Sequence, residues 1–148
     1  MVSRRKALPH GIPPWVGEGA EYFITFCTIP RGKNQLCNPV VSHALHDAFA
    51  FYQNREDLWI HLLLIMPDHL HAIMSFNRCI GMKKSIGEYK KYTARKLGIE
   101  WQRDFFDHRL RAGESYAEKA HYIRMNPVRA GLCISPKEWP YVWEYGPW

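Results

Sequence analysis

Leu62-Leu63-Leu64-Ile65-Met66-Pro67-Asp68-His69-Leu70-His71-Ala72-Ile73-Met74 is the stretch that decides the fold. An apolar, largely β-prone run is interrupted by a Pro-Asp turn signal, which predicts the end of one buried strand, a tight reversal and the start of a second. His69 and His71 stand directly after the turn, separated by Leu70. Because successive strand side chains point to opposite faces, the two imidazoles emerge together, while Leu70 and Ala72 pack on the other side. Two readings of the pair stay open on these residues: core histidines hydrogen-bonded to backbone, or two imidazoles offered to one object.

Working outward, the hairpin is formed by strands over Leu58 to Ile65 and His69 to Phe76. Upstream, Glu21 to Thr28 is rich in aromatic and β-branched residues and predicts a first strand, which Pro30, Gly32 and Asn34 end. Asn38-Pro39 pairs an N-cap with proline at the first helical position, and Val41, Leu45, Ala48 and Tyr52 follow at helical spacing, so a helix runs to about Asn54. Downstream, residues 82 to 97 predict a second helix with Met82, Ile86, Tyr89, Thr93 and Leu97 on one side and Lys84, Lys91 and Arg95 on the other. Trp101 to Leu110 supplies a fourth strand. A last helix opens at the capping box Ser115…Glu118 and continues through Tyr122 toward Pro127. The aromatic tail, from Trp139 to Trp148, is expected to wrap back on the body.

The order β-α-β-β-α-β followed by a terminal helix is α+β and ferredoxin-like: an antiparallel sheet with helices on one face. The His69 strand is then interior to the sheet. Residues 1–20 hold Pro9, Pro13, Pro14 and three glycines and predict an irregular basic arm; residues 21–148 form one domain. At 148 residues, 47% hydrophobic and 23% charged, the chain is long enough to bury its own core, and disorder is excluded.

Twenty Lys and Arg against 14 acidic residues leave a net charge of +6, beside six Trp, eight Tyr and seven Phe. Positive charge with many flat aromatics suits a protein that meets a polyanion with exposed bases. Cys27, Cys37, Cys79 and Cys133 form no CxxC pair and read as small buried hydrophobes in a reducing compartment. No signal-peptide core follows Arg4-Arg5-Lys6, and no window approaches the roughly 18 apolar residues of a membrane span. A cytoplasmic location is expected.

The second chemical constellation is His121-Tyr122-Ile123-Arg124-Met125-Asn126-Pro127. Tyr122 and Asn126 are four apart and share a helix face. An Asn oxygen can complete a metal site begun by two imidazoles, and the ion would keep open positions for a phosphate oxygen. A tyrosine beside it is a competent nucleophile once its proton leaves. Tyr89, Tyr92 and Tyr116 are rivals, but none has an Asn four positions later in a helix. His121 points about 100° away from Tyr122 and is read as incidental.

These residues carry a resemblance. His69-Leu70-His71 resembles the His-hydrophobic-His motif of the HUH single-strand nucleases, and Tyr122 to Pro127 resembles the single-tyrosine helix of their transposase branch. Met66 to His71, Trp101-Gln102-Arg103-Asp104-Phe105-Phe106-Asp107-His108-Arg109-Leu110-Arg111 and Tyr122 to Leu132 together look like the REP-associated tyrosine transposases. The resemblance implies metal-dependent cleavage and joining of single-stranded DNA at hairpin-forming sequences, with Tyr122 as nucleophile and a 5′-phosphotyrosine intermediate. It implies Mg²⁺ or Mn²⁺ held by His69, His71 and Asn126. Monomers and homodimers both fit it.

The cations Lys84, Lys91 and Arg95, the arm residues Arg4, Arg5 and Lys6, and Arg109 and Arg111 on the fourth strand are expected to contact the DNA backbone. His108 is a further possible site residue. Asp68 or backbone carbonyls are the candidates to orient the two imidazoles. The alternative to an active transposase is a domesticated hairpin-binding protein without turnover, which needs none of Tyr122, His69, His71 and Asn126. A two-histidine phosphoesterase is a weaker reading, since the repeated His-x-Thr pairs of that group are absent. The sharpest structural expectation is that the Tyr122 helix lies across the histidine face of the sheet.

Overall fold

The structure, a computed structural model, describes residues 19–111 and 115–146. The elements in chain order are β1 (Tyr22–Cys27), α1 (Pro39–Asn54), β2 (Leu58–Met66), β3 (His69–Phe76), α2 (Met82–Leu97), β4 (Phe106–Arg109), α3 (Tyr116–Arg124), α4 (Asn126–Arg129), a 3₁₀ turn (Pro136–Glu138) and β5 (Val142–Glu144). The strands form one antiparallel sheet in the order β4-β1-β3-β2-β5. The α+β class and the β-α-β-β-α-β run are found as expected. Among the described residues no helix is long and apolar enough to cross a membrane.

Local chemistry accounts for the boundaries. The Asn38 side chain accepts from the Val41 N–H at 2.9 Å with Pro39 opening α1, and Ser115 Oγ accepts from the Glu118 N–H at 3.2 Å to open α3. Gly98 stops α2 in the left-handed region, its N–H bonded to the Ala94 carbonyl. Pro67-Asp68 makes the β2–β3 reversal, with Met66 paired to His69.

Two expectations change. The fourth strand is shorter than Trp101 to Leu110: Trp101 makes only a single bridge to Thr28, and β4 begins at Phe106. Lys90 Nζ explains this, because it takes the carbonyls of Gln102, Arg103 and Asp104 and draws that segment out of strand geometry. The aromatic tail does more than wrap back: Val142–Glu144 pairs with β2 as a fifth strand. Helices cover both faces of the sheet, α1 and α2 on one and the C-terminal helix α3, as expected, on the other.

The two faces follow from register. β1 and β3 pair Ile24 with Ala72 and Phe26 with Leu70, and these side chains meet Leu45 and Phe49 of α1 and Ile86 and Tyr89 of α2 in the larger core. The alternate residues, Phe23 and Ile73, pack with Ala120 and Ile123 of α3. A register shift between Ile60 and Leu62 swaps the parity of β2. Leu58 and Ile60 before it and Leu63 and Ile65 after it therefore all face α1 and α2, while Leu62, Leu64 and Met66 face α3. With neighbours on both edges and both faces, all of β2 is buried.

Candidate active site

The α3 face of the sheet presents His69 and His71, which alternate with buried Leu70 as expected. Each imidazole has its Nδ1 engaged. Asp68 Oδ1 lies 2.8 Å from Nδ1 of His69, and Thr25 Oγ1 lies 2.8 Å from Nδ1 of His71, its register partner across β1. Neither Nε2 has a hydrogen-bond partner among the described residues, so both rings present one uncommitted nitrogen. The rings stand edge to face with centroids 4.8 Å apart.

The supports are themselves anchored. Asp68 Oδ2 accepts from Arg31 Nε at 2.9 Å and from the Gly32 N–H at 2.7 Å. Burial works to raise the Asp68 carboxyl, but the bonds from Arg31, Gly32 and His69 outweigh it and hold the group well below the usual carboxylate range. His71 is only 9% exposed. Burial, then the nearby charges of His69, Arg129 and Arg31, push its pKa down to about 3, so the ring is neutral and able to ligate through the physiological range.

The helix bearing Tyr122 does lie on this face, held there by Ala120 and Ile123 in the smaller core. Arg124 bonds Glu144 of β5 at 2.7 Å and the Tyr116 hydroxyl bonds the same carboxylate at 3.2 Å, so the added fifth strand fixes the helix as well. Tyr122 is 51% exposed. Phe23 links it to the histidines: its ring lies 6.4 Å from that of Tyr122 and 5.6 Å from that of His71. Tyr122 and Asn126 do not share one unbroken helix, because Met125 is a turn and Asn126 opens α4. Pro127 is the cause, having no N–H to continue the ladder and a ring that crowds the preceding turn.

Asn126 bears directly on whether a cation fits. Its Nδ2 is buried without a hydrogen-bond partner. Turning the amide about its last bond would put an oxygen, the donor a hard cation takes, in that place. Imidazole nitrogens and an amide oxygen are donor types that a divalent ion accepts, so the chemistry of this donor set fits one. Among the described residues no cluster of three or more His, Cys, Asp or Glu offers a rival site.

A model of the family described as "Transposase IS200 like" matches residues 19–119. The chain belongs to this transposase family. Within it, the likeness of this transposase is to REP-associated members. It is 27% identical to the REP-associated tyrosine transposase of Escherichia coli, covering 84% of this chain and 76% of that protein. It is 25% identical to a Haemophilus influenzae protein provisionally given the same description, covering 84% of this chain and 79% of the relative. In fold it resembles a REP-associated tyrosine transposase solved bound to a REP hairpin, with a TM-score of 0.74 at 22% identity over 90% of this chain and 82% of that one. A protein of Deinococcus radiodurans provisionally described as a transposase matches with a TM-score of 0.53 at 19% identity over 70% of this chain and 87% of that one.

The structure does not gather every expected residue of this transposase at the site. Lys84, Lys91 and Arg95 ride on α2, across the sheet from the histidines. Arg109 pairs with Tyr22 and takes the α2 side, and Arg111 lies past the end of β4. His108, by contrast, pairs with Phe23 and stands on the histidine face. Arg4, Arg5 and Lys6 lie outside the described residues.

Two participants escaped the sequence reading. Thr25 carries no signal of its own, because only register brings it to His71. Arg129 did carry one: it follows Tyr122 by seven residues, close to two helical turns. Its guanidinium carbon sits 4.2 Å from the Tyr122 ring centroid, and its Nη2 donates to the Tyr122 carbonyl at 2.7 Å. The two contacts hold the tyrosine in one pose, with a positive charge beside it.

Proposed function

We propose that this transposase cleaves and rejoins single-stranded DNA at hairpin-forming sequences through a covalent bond to Tyr122. One observation carries the reading: a half-exposed tyrosine is packed onto the sheet face where two imidazoles, each engaged through Nδ1, keep an uncommitted Nε2. Simple hairpin binding requires neither a tyrosine held by an arginine nor histidines oriented as ligands.

His69, His71 and Asn126 would hold Mg²⁺ or Mn²⁺, which when bound supplies positive charge to a non-bridging oxygen of the scissile phosphate. Asp68 and Thr25 keep the imidazoles in the ligating orientation. Tyr122 Oη attacks phosphorus as its proton leaves; the Tyr122–phosphorus bond forms and the bond to the 3′ oxygen breaks, that oxygen leaving as a 3′-OH. The DNA 5′ end is then a phosphotyrosine, and attack by another 3′-OH reverses the step without an external energy source. Arg129 steadies the ring during both attacks. Lys84, Lys91, Arg95, Arg109, Arg111 and the arm cations Arg4, Arg5 and Lys6 are proposed as outlying contacts to the DNA backbone.

The test is to mix the protein with labelled single-stranded hairpin DNA and Mn²⁺ and look for a denaturant-resistant adduct. Wild type should form it and Tyr122→Phe should not. No adduct on any hairpin offered, or an adduct with the Phe variant, ends the reading.

A further inference from the structure

The segment 102–106 matches the family block but has no role in the cleavage chemistry above. It walls a cavity of about 350 Å³ lined by Thr25, Cys27, Gln102, Asp104, Phe105 and Phe106. The two β1 residues in that lining place it beside the reacting face: Thr25 holds His71, and Cys27 pairs with His69. Phe106 is directly opposite Thr25 on β4, and despite being a large apolar side chain on a sheet it is 55% exposed. Its ring leans edge-on against Phe23 at 5.8 Å, so its orientation is fixed while much of the ring stays open.

Two further features mark the cavity as built. Lys90 Nζ donates to three successive carbonyls, those of Gln102 at 2.7 Å, Arg103 at 3.1 Å and Asp104 at 3.4 Å. A charged amine spent in this way turns an irregular segment into a rigid wall. The Gln102 side-chain amide and the Asp104 carboxylate make no hydrogen bond among the described residues, and the only charge seen to act on Asp104 is that of Lys90 behind the wall. An open aromatic face with a few polar groups beside it is the equipment for holding an unpaired base by stacking and reading its edge.

We propose that this cavity receives one unpaired nucleobase next to the cleaved phosphodiester, stacked on Phe106 and read by Gln102 and Asp104. A carboxylate near DNA is repelled by phosphate unless a base N–H satisfies it, so Asp104 selects bases with an exocyclic amino group and disfavours thymine. Gln102 adds a bidentate edge of the kind that suits adenine. The cavity thus sets which nucleotide lies beside the histidines. This inference rests on the proposed single-strand chemistry.

The probe is a pool of labelled hairpin oligonucleotides with randomised unpaired flanks, from which the full-length protein selects binders. Wild type should enrich amino-bearing bases at one flanking position. An abasic site at that position should weaken wild-type binding about tenfold, the scale of one stacked base. Phe106→Ala should weaken binding by a similar factor and be indifferent to the abasic site, while Phe106→Tyr restores both affinity and preference. Asp104→Asn should lose the bias against thymine at that position alone.

If wild type enriches no flanking base, or if the losses from Phe106→Ala and the abasic site simply multiply, the proposal is overturned. Because Phe106→Tyr and thermal melting report folding separately, a collapsed Ala variant does not mimic the result. Failure of wild type to form any phosphotyrosine adduct would instead strike the reading of the reaction. Adduct formation with unselective flanks would strike only this cavity.

Discussion

Leu70 and His71 are neighbours in the chain and belong to opposite halves of the molecule. Leu70 points into a closed core with Phe26, Phe49 and Tyr89 under two helices. His71 points to a face only partly covered by one short helix, where Phe106 and Tyr122 stay exposed. The first face is apolar and filled because it supplies stability. The second is left partly open, and two imidazoles, a tyrosine and an arginine stand on it. The difference teaches that one strand serves both needs through its two-residue period.

The sharpest way to break this contrast is to change the neighbours one at a time. His71→Ala should remove adduct formation altogether, with the folded protein still present by circular dichroism. Leu70→Ala should do the reverse, lowering unfolding free energy in urea by about 2–5 kcal/mol while the fraction that stays folded keeps its adduct rate. A His71→Ala protein that still forms the adduct, or a Leu70→Ala protein that is stable but inert, would mean that the faces are not separate in role.

A smaller effect is expected one layer out. Thr25→Val removes the oxygen that orients His71 but keeps the side chain's shape, and should weaken Mn²⁺ binding, followed by titration, roughly 10- to 100-fold. Asp68→Asn should act similarly through His69. Unchanged Mn²⁺ affinity in both would remove these residues from the site.

The pH dependence sharpens the same point in metal-free protein. His71 has a folded pKa pushed down to about 3 by burial, while the unfolded chain has an ordinary imidazole near 6.5. The unfolded state therefore binds the extra proton between those values, and stability falls as pH drops through that window, by at most about 1.4 kcal/mol per pH unit. His71→Gln should flatten that part of the denaturation profile in EDTA; an unaltered slope would show that His71 is already charged when folded.

The least effect is expected from the closed side. A variant with Lys84, Lys91 and Arg95 all changed to Ala should lose about one unit of salt slope in DNA binding per contact, with the adduct rate on saturated DNA unchanged. An unaltered slope would confine the DNA to the histidine face.

Much of this was legible in the chain itself. The Pro67-Asp68 reversal, the Asn38-Pro39 and Ser115…Glu118 starts and the alternation of His69, Leu70 and His71 are local signals, and each element appears where they place it. Tyr122 and Asn126 were visible by their spacing, though Pro127 divides the helix between them. What stayed hidden was long-range. The bulge near His61 that turns the leucines of β2 over, the use of Val142–Glu144 as a strand, and the Lys90 latch that shortens β4 all depend on partners far away in sequence.

The sequence by itself determined the order of elements, the common face of the two histidines and the candidate nucleophile, because turn chemistry, capping and side-chain period act over a few residues. Only the tertiary structure decided which oxygens hold the imidazoles, which helix covers them, that Arg129 lies over Tyr122, and that the cations of α2 stand on the far side. Those outcomes are set by strand register and by which apolar faces bury one another, and neither is written in any single segment.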